Sequence, residues 1–104
     1  MTCHNILLKS ALEQAELIRS GEISARELLE EHVRQYKKHH DQINAVIFTR
    51  LEEARATADQ LDEELRKGTS RGPLHGVTMT VKDSYDLLGT PSTWGIPELR
   101  ANFP

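Results

Sequence analysis

The sequence predicts a domain of mixed α-helix and β-strand, with about three helices and two short strands. Three motifs, each a serine or threonine followed three residues later by glutamate, precede apolar residues at helical spacing. Two runs rich in β-branched residues, 44–49 and 77–81, predict the strands. Glycine and proline fall between these elements, as is typical of a soluble globular domain.

The first helix is predicted over about residues 11–20. Ser10 and Glu13 form a capping box, in which each side chain bonds the other residue's backbone amide. Gly21 is placed to end the helix in a left-handed conformation. Three apolar residues at helical spacing are expected to line its inner face: Leu12, Ala15 and Ile18.

The second helix is predicted from a capping box at Ser24 and Glu27 to about residue 38. Ile23 and Leu28 flank that box as a hydrophobic staple, which fixes the angle at which the chain enters the helix. The apolar stripe of this helix is Leu29, Val33 and Tyr36. We interpret His39 and His40 as positive charge near the helix end, because adjacent histidines point in different directions and make a poor metal site.

The third helix is predicted over about residues 50–67, with a capping box at Thr49 and Glu52 and Gly68 at its end. Its apolar stripe covers only about two heptads, which favours core packing over a coiled-coil seam. The stripe is Leu51, Ala54, Ala58, Leu61 and Leu65. The opposite face is predicted to be a solvated charged surface that needs no partner: Glu52, Glu53, Arg55, Asp59, Glu63 and Arg66.

Composition excludes several classes of protein. The 104 residues are 38% hydrophobic and 28% charged, with a net charge of −3, which gives no footprint for nucleic acid or an anionic membrane. No apolar run approaches the roughly 20 residues that span a bilayer. The single cysteine, Cys3, cannot form an internal disulfide, and no basic segment precedes an apolar run as in a signal peptide. These features predict a cytoplasmic protein.

Residues 72–95 carry the side chains that indicate chemistry. The predicted strand 77–81 leads into Lys82 and Asp83, and a loop rich in hydroxyl groups follows: Ser84, Thr90, Ser92 and Thr93, beside Trp94. A lysine held at a strand end can activate a nucleophile, although many lysines in this position are only solvated strand ends. A Ser-His-Asp arrangement of Ser84, His75 and Asp83 needs long-range geometry that the sequence does not contain.

Three segments in this stretch, LHGV at 74–77, VKDS at 81–84 and GTPSTWG at 89–95, resemble the amidase-signature family of amide hydrolases. The resemblance is strong over residues 72–95 and weaker back to about residue 10. It implies an α/β fold, a mixed sheet covered by helices. Residues 1–104 would then be the N-terminal part of a single amidase domain.

The resemblance also implies roles for individual residues. The family uses a lysine that relays a proton through a serine with a cis peptide bond to a nucleophilic serine. Lys82 matches the lysine, and Asp83 matches a structural neighbour. Residues that match the supporting surroundings are His75, Gly76, Thr93 and Trp94. The expected partner is a small-molecule amide, and no cofactor or metal is implied. The acyl group, a free-standing or amidotransferase setting, and the oligomeric state stay open.

The sequence departs from the family pattern in three ways. Thr78 and Ile96 stand where the family often has proline and serine, and no glycine/serine-rich segment is present. Because that segment supplies both serines, we predict that the chain alone is inactive, as a fragment or truncated gene product. We expect marginal stability and exposed strand edges. The alternative is a noncatalytic, amidase-derived interaction protein that binds a partner through the stripe of its third helix.

Overall fold

The computed structural model describes residues 6–103, which form three α-helices and a long irregular C-terminal segment. The helices are α1, Ala11–Arg19, α2, Ala25–Ile43, and α3, Leu51–Arg66, and a short 3₁₀ helix spans Pro97–Leu99. Cys3, with its predicted free thiol, lies outside the described residues.

The first two capping boxes are confirmed. In α1 the Ser10 hydroxyl accepts from the Glu13 amide, and the Glu13 carboxylate accepts from the Ser10 amide. Ser24 and Glu27 repeat the arrangement at the start of α2. Local signals of this kind depend on residues only three apart, and a sequence can therefore specify them without knowledge of tertiary packing.

Helix α2 is longer than predicted, and it ends at Ile43, with Asn44 as its C-cap, rather than near residue 38. Asn44 adopts a left-handed conformation with φ 49°, and its amide donates to the carbonyl of His40 at 2.7 Å. Asparagine is the usual alternative to glycine in this position. His40 therefore lies within the last turn, where its ring contacts that of Tyr36 with centroids 4.9 Å apart.

The third capping box is wrong. Helix α3 begins at Leu51, and its N-cap is Arg50, which makes no side-chain capping bond. The Arg50 guanidinium instead pairs with Glu53, one position beyond the predicted partner. A salt bridge therefore links the N-cap residue to the first turn, and no side chain caps the helix.

Two apolar clusters hold the helices together. Ile18, Ile23 and Leu28 pack with Ile6 between α1 and α2, which agrees with the predicted staple. The second cluster joins α2 to α3 and comprises Ala25, Leu29, Val33 and Ala58, with Leu51, Ala54 and Leu61 against it. The α3 stripe therefore packs within the chain, as predicted. Leu12 is the exception on α1, because its side chain is 66% exposed.

Polar contacts also join α2 to α3, and here the prediction of a purely solvated outer face is wrong. Glu30 on α2 accepts from Arg26 and from Arg55 of α3, each at 2.8 Å, and Arg26 also contacts Asp59 at 2.7 Å. These contacts lower the pKa of Glu30 to about 2, chiefly through the hydrogen bond from Arg55. Arg55 and Asp59 thus have partners on the neighbouring helix.

The predicted α/β fold class, with its mixed sheet, is wrong for residues 6–103, which contain helices and no β-strand. Residues 44–49 and 77–81 are irregular, and most of their side chains are exposed. β-propensity measures how well a side chain fits a pleated, half-buried surface, and a strand exists only when a second segment pairs with it. Within the described part of the chain neither run has such a partner.

Over residues 6–103, no helix combines the length and the apolar character required to cross a membrane.

Candidate active site

His75 anchors the start of the motif-bearing segment to α3. Its ring is buried, at 8% exposure. The Nδ1 atom accepts from the Arg71 amide at 3.0 Å, so Nε2 is the nitrogen that donates to the Leu61 carbonyl, at 2.9 Å. A second link joins the same two elements, because the Arg71 guanidinium binds the Glu64 carboxylate at 2.6 and 2.9 Å.

Gly76 brings the segment against α1 and α2. Its backbone has φ +85°, and a Cβ there would lie 3.0 Å from the Ala25 Cβ and 3.1 Å from Ile18 Cδ1. A left-handed backbone and the lack of space both require glycine at this position. The LHG part of the motif therefore attaches the irregular segment to the helical core.

Asp83 closes the loop that follows Lys82. Its carboxylate accepts from the Thr93 hydroxyl at 2.7 Å and from the Thr93 amide at 3.3 Å. These bonds, the hydroxyl first, hold the pKa of Asp83 below its usual value. Since Thr93 is ten residues further along, the pair fixes both ends of the loop next to Lys82.

Ser92 joins the closed loop to the end of the described chain. Ser92 is almost fully buried, at 1% exposure, and its hydroxyl lies 3.4 Å from the Asp83 carbonyl. Its amide donates to the Asn102 carbonyl at 2.8 Å, and the Asn102 side chain donates back to the Ser92 carbonyl at 3.1 Å. Sequence reasoning missed Asn102, because no local pattern connects it to a serine ten residues earlier.

Lys82 and Trp94 flank the closed loop and are exposed. The Lys82 ammonium makes no ion pair or side-chain hydrogen bond with another described residue. Trp94 is 64% exposed and has φ 54°. A bulky residue in the left-handed region is an uncommon, strained conformation.

The six predicted site residues thus fall into two groups. His75 and Gly76 lie against the helices, whereas Lys82, Asp83, Thr93 and Trp94 belong to the closed loop. The Ser-His-Asp alternative has no support, because backbone groups occupy both nitrogens of His75 and Thr93 occupies the Asp83 carboxylate. No group of three or more histidine, cysteine, aspartate or glutamate side chains in residues 6–103 is arranged to hold a metal ion.

Comparison with known proteins identifies the class to which this segment belongs. The family model described as Amidase matches residues 27–104. The chain is 39% identical over 88 residues to an indoleacetamide hydrolase of Bradyrhizobium diazoefficiens, a match that covers 85% of this chain and 17% of that protein. It is 39% identical over 83 residues to an amidase of Pseudomonas putida, covering 80% of this chain and 18% of that protein.

A third relative is named as an amidotransferase subunit rather than as a hydrolase or amidase. A glutamyl-tRNA(Gln) amidotransferase subunit of Synechococcus sp. (strain CC9605) is 33% identical over 76 residues, covering 73% of this chain and 16% of that protein. The chain belongs to the amidase family, as the resemblance in its motifs indicates. It spans less than a fifth of the length of these three relatives.

Proposed function

We propose that this chain supplies the proton-transferring lysine of an amidase domain that hydrolyses a carboxamide bond. Lys82 is the lysine, and residues 1–104 form the N-terminal part of that single domain. The observation that carries the proposal is the VKD segment inside the family match, where the loop is closed by Asp83 and Thr93 while the lysine amine keeps no partner among the described residues.

The chemistry follows from what an unpaired amine can do. In its neutral form the Lys82 amine takes a proton from a relay serine, which takes one from the nucleophilic serine. The nucleophile attacks the amide carbon, the C–N bond breaks, and the lysine's proton returns through the relay to the leaving amine. Water then cleaves the acyl-enzyme. Both serines lie outside these 104 residues, so we propose that the chain alone does not hydrolyse amides.

Asp83 and Thr93 have a positioning role in this proposal. Their two hydrogen bonds hold the backbone on either side of the loop, so that Lys82 leaves a fixed turn. His75 and Gly76 attach that turn to the helices through buried contacts. A base must be placed to within a fraction of an ångström, and rigid surroundings supply that placement.

The substrate class is a small molecule with an amide group. The relatives' names differ in the acyl part, indoleacetamide in one case and glutamyl-tRNA(Gln) in another. Both relatives share the stretch that is similar to this chain, so residues outside that stretch select the acyl group.

The noncatalytic alternative is not favoured by any observation. It required the α3 stripe to bind a partner, and that stripe packs against α2.

A chimaera tests the proposal. This chain replaces the similar stretch of the Pseudomonas putida amidase, and the hydrolysis of simple aliphatic and aryl amides is measured. We expect activity from the chimaera and none from the 104-residue chain. Lys82→Arg keeps the positive charge but cannot lose its proton, and should lower kcat by at least about 100-fold. Activity of the isolated chain, or a fully active Lys82→Arg chimaera, would contradict the proposal.

A further inference from the structure

The residues that join α2 to the N-cap of α3 have the composition of a β-strand. We call residues 44–49 the connecting segment. It is uncharged, contains neither glycine nor proline, and includes Val46, Ile47 and Phe48. Ile47 is 56% exposed and Phe48 is 46% exposed. An exposed segment of this composition is a site at which another chain can add a strand.

The backbone of the connecting segment has free hydrogen-bonding groups. The Asn44 amide donates to the His40 carbonyl, but no amide or carbonyl of residues 45–49 bonds to another described residue. Among residues 44–49 only Asn44 has a positive φ, so residues 45–49 can become extended without strain. Unpaired groups along an extended segment are the template for β-augmentation.

The connecting segment is complementary to a second copy of itself. In an antiparallel alignment that places Ile47 opposite the second copy's Ile47, Val46 lies opposite Phe48 on both sides of the axis. Pairs of an aromatic and a β-branched side chain stabilise antiparallel strands. Ala45 lies opposite Thr49 in the same alignment. No like charges therefore oppose each other within the segment.

The charges that flank the connecting segment favour the antiparallel orientation. Residues 37–43, at the end of α2, contain two lysines and one aspartate, whereas residues 50–53 contain one arginine and two glutamates. With neutral histidines the two flanks carry opposite net charges. Antiparallel pairing brings the end of α2 in one copy beside the start of α3 in the other, where the helix dipoles are also complementary. Parallel pairing would bring together flanks of like charge.

We propose that the connecting segments of two copies of this chain pair as antiparallel strands about a twofold axis at Ile47. Such an interface is isologous, because each copy contributes the same surface. A ladder of two strands is marginally stable in water, so the dimer is expected to be weak and dependent on concentration. The proposal is independent of amide hydrolysis and of Lys82.

Exchange of charge at the twofold axis tests the proposal on the full 104-residue chain. Analytical ultracentrifugation is expected to show a monomer–dimer equilibrium for the unchanged chain. Ile47→Lys places two ammonium groups opposite each other and should weaken dimerisation by at least about tenfold, and Ile47→Glu should do the same with two carboxylates. An equimolar mixture of the two variants pairs ammonium with carboxylate and should restore the dimer.

Leu12→Lys is the matched control. Leu12 is 66% exposed on α1, and this variant should dimerise like the unchanged chain. The proposal is overturned by a chain that stays monomeric at every concentration, by equal dimerisation of Leu12→Lys and Ile47→Lys, or by a loss in both Ile47 variants that mixing does not reverse. The last result would place a different segment, such as residues 77–81, opposite the connecting segment.

Amide hydrogen exchange gives a second measurement on the unchanged chain. In an antiparallel pair alternate amides of each strand donate to the partner strand. Exchange at alternate positions of residues 45–49 should therefore slow as the protein concentration rises. Exchange rates at these positions that do not depend on concentration would mean that the connecting segment does not pair.

Discussion

At Gly76 the missing side chain lets the irregular segment approach α1 and α2 closely. A methyl group there meets Ala25 and Ile18 and also strains a backbone with φ +85°. Gly89 has the same φ of +85° with nothing within 4 Å of its hypothetical Cβ. The pair therefore separates the cost of strain from the cost of crowding.

Gly76→Ala should reduce the free energy of unfolding by about 2–4 kcal/mol, from backbone strain and overpacking together. Gly89→Ala should cost about 1–2 kcal/mol, from strain alone. Urea titration of both variants measures the difference. If both variants lose the same free energy of unfolding, the close contacts at Gly76 do not contribute to the cost of its substitution.

The Asp83–Thr93 pair makes a second prediction for single residues. Thr93→Val removes the hydroxyl donor that contributes most to the low pKa of Asp83, so that pKa should rise toward the usual 3.8. Thr93→Ser keeps the hydroxyl and is the control. Carboxyl carbon chemical shifts followed during an NMR titration report the pKa directly. An unchanged pKa in Thr93→Val would mean that the hydrogen bond contributes little in solution.

Site residues were predictable where they are contiguous in sequence and unpredictable where the contact is long-range. The motif at 81–84 predicted Lys82 and Asp83 as site residues. Asn102 bonds to Ser92 without any local pattern that could have predicted the contact. The same holds for Asp62, whose carboxylate accepts from the amides of Ala25 and Arg26 at 2.7 and 3.1 Å. A sequence shows that an acid is present on α3, and only packing shows that it caps α2.

At the scale of whole elements, Asp62 of α3 caps the N-terminus of α2. Asp62→Ala leaves two amides at the start of α2 without their acceptor and removes a negative charge from the positive end of that helix. The free energy of unfolding should fall by about 1–2 kcal/mol. Glu22→Ala, an exposed carboxylate between α1 and α2, is the control and should change stability by less than about 0.5 kcal/mol. If both variants unfold alike in urea, Asp62 does not cap α2.

The contact between α2 and α3 should make stability depend on pH. The Glu30 pKa is lowered from 4.5 to about 2, so the stabilisation from its two arginines is fully present above 4.5 and is lost as pH falls toward 2. Glu30→Gln should remove that part of the pH dependence. The measurement is the unfolding midpoint in urea between pH 6 and about pH 2. If the unfolding midpoints of the unchanged chain and of Glu30→Gln depend on pH in the same way, Glu30 does not cause this pH dependence.

Elements with local signals were predicted well, and elements that need a distant partner were not. Capping boxes and apolar spacing predicted α1 and the start of α2, since these depend on residues three or four apart. The end of α2 was missed because Asn44 was assigned to a strand by its β-branched neighbours. Neither predicted strand forms among residues 6–103, because a strand requires backbone partners that composition cannot supply.

For the whole molecule, the helices and the irregular segment have different surfaces. The helices bury their apolar stripes against each other and expose charge, whereas the irregular segment exposes aromatic and aliphatic side chains. Both kinds of surface lie in a chain that belongs to the amidase family and spans less than a fifth of the length of the three relatives described. The cytoplasmic localisation and the absence of a cofactor stay predictions.

The central claim is that Lys82 is the base of the amidase site, and kcat/KM in the chimaera tests it most directly. Lys67 is the matched control, an exposed lysine at the end of α3 that contacts Glu63 at 3.7 Å. Lys82→Ala should lower kcat/KM for an amide by at least about 100-fold, as expected when a general base is removed. Lys67→Ala should leave kcat/KM within about twofold. Equal values for the two variants would contradict the account.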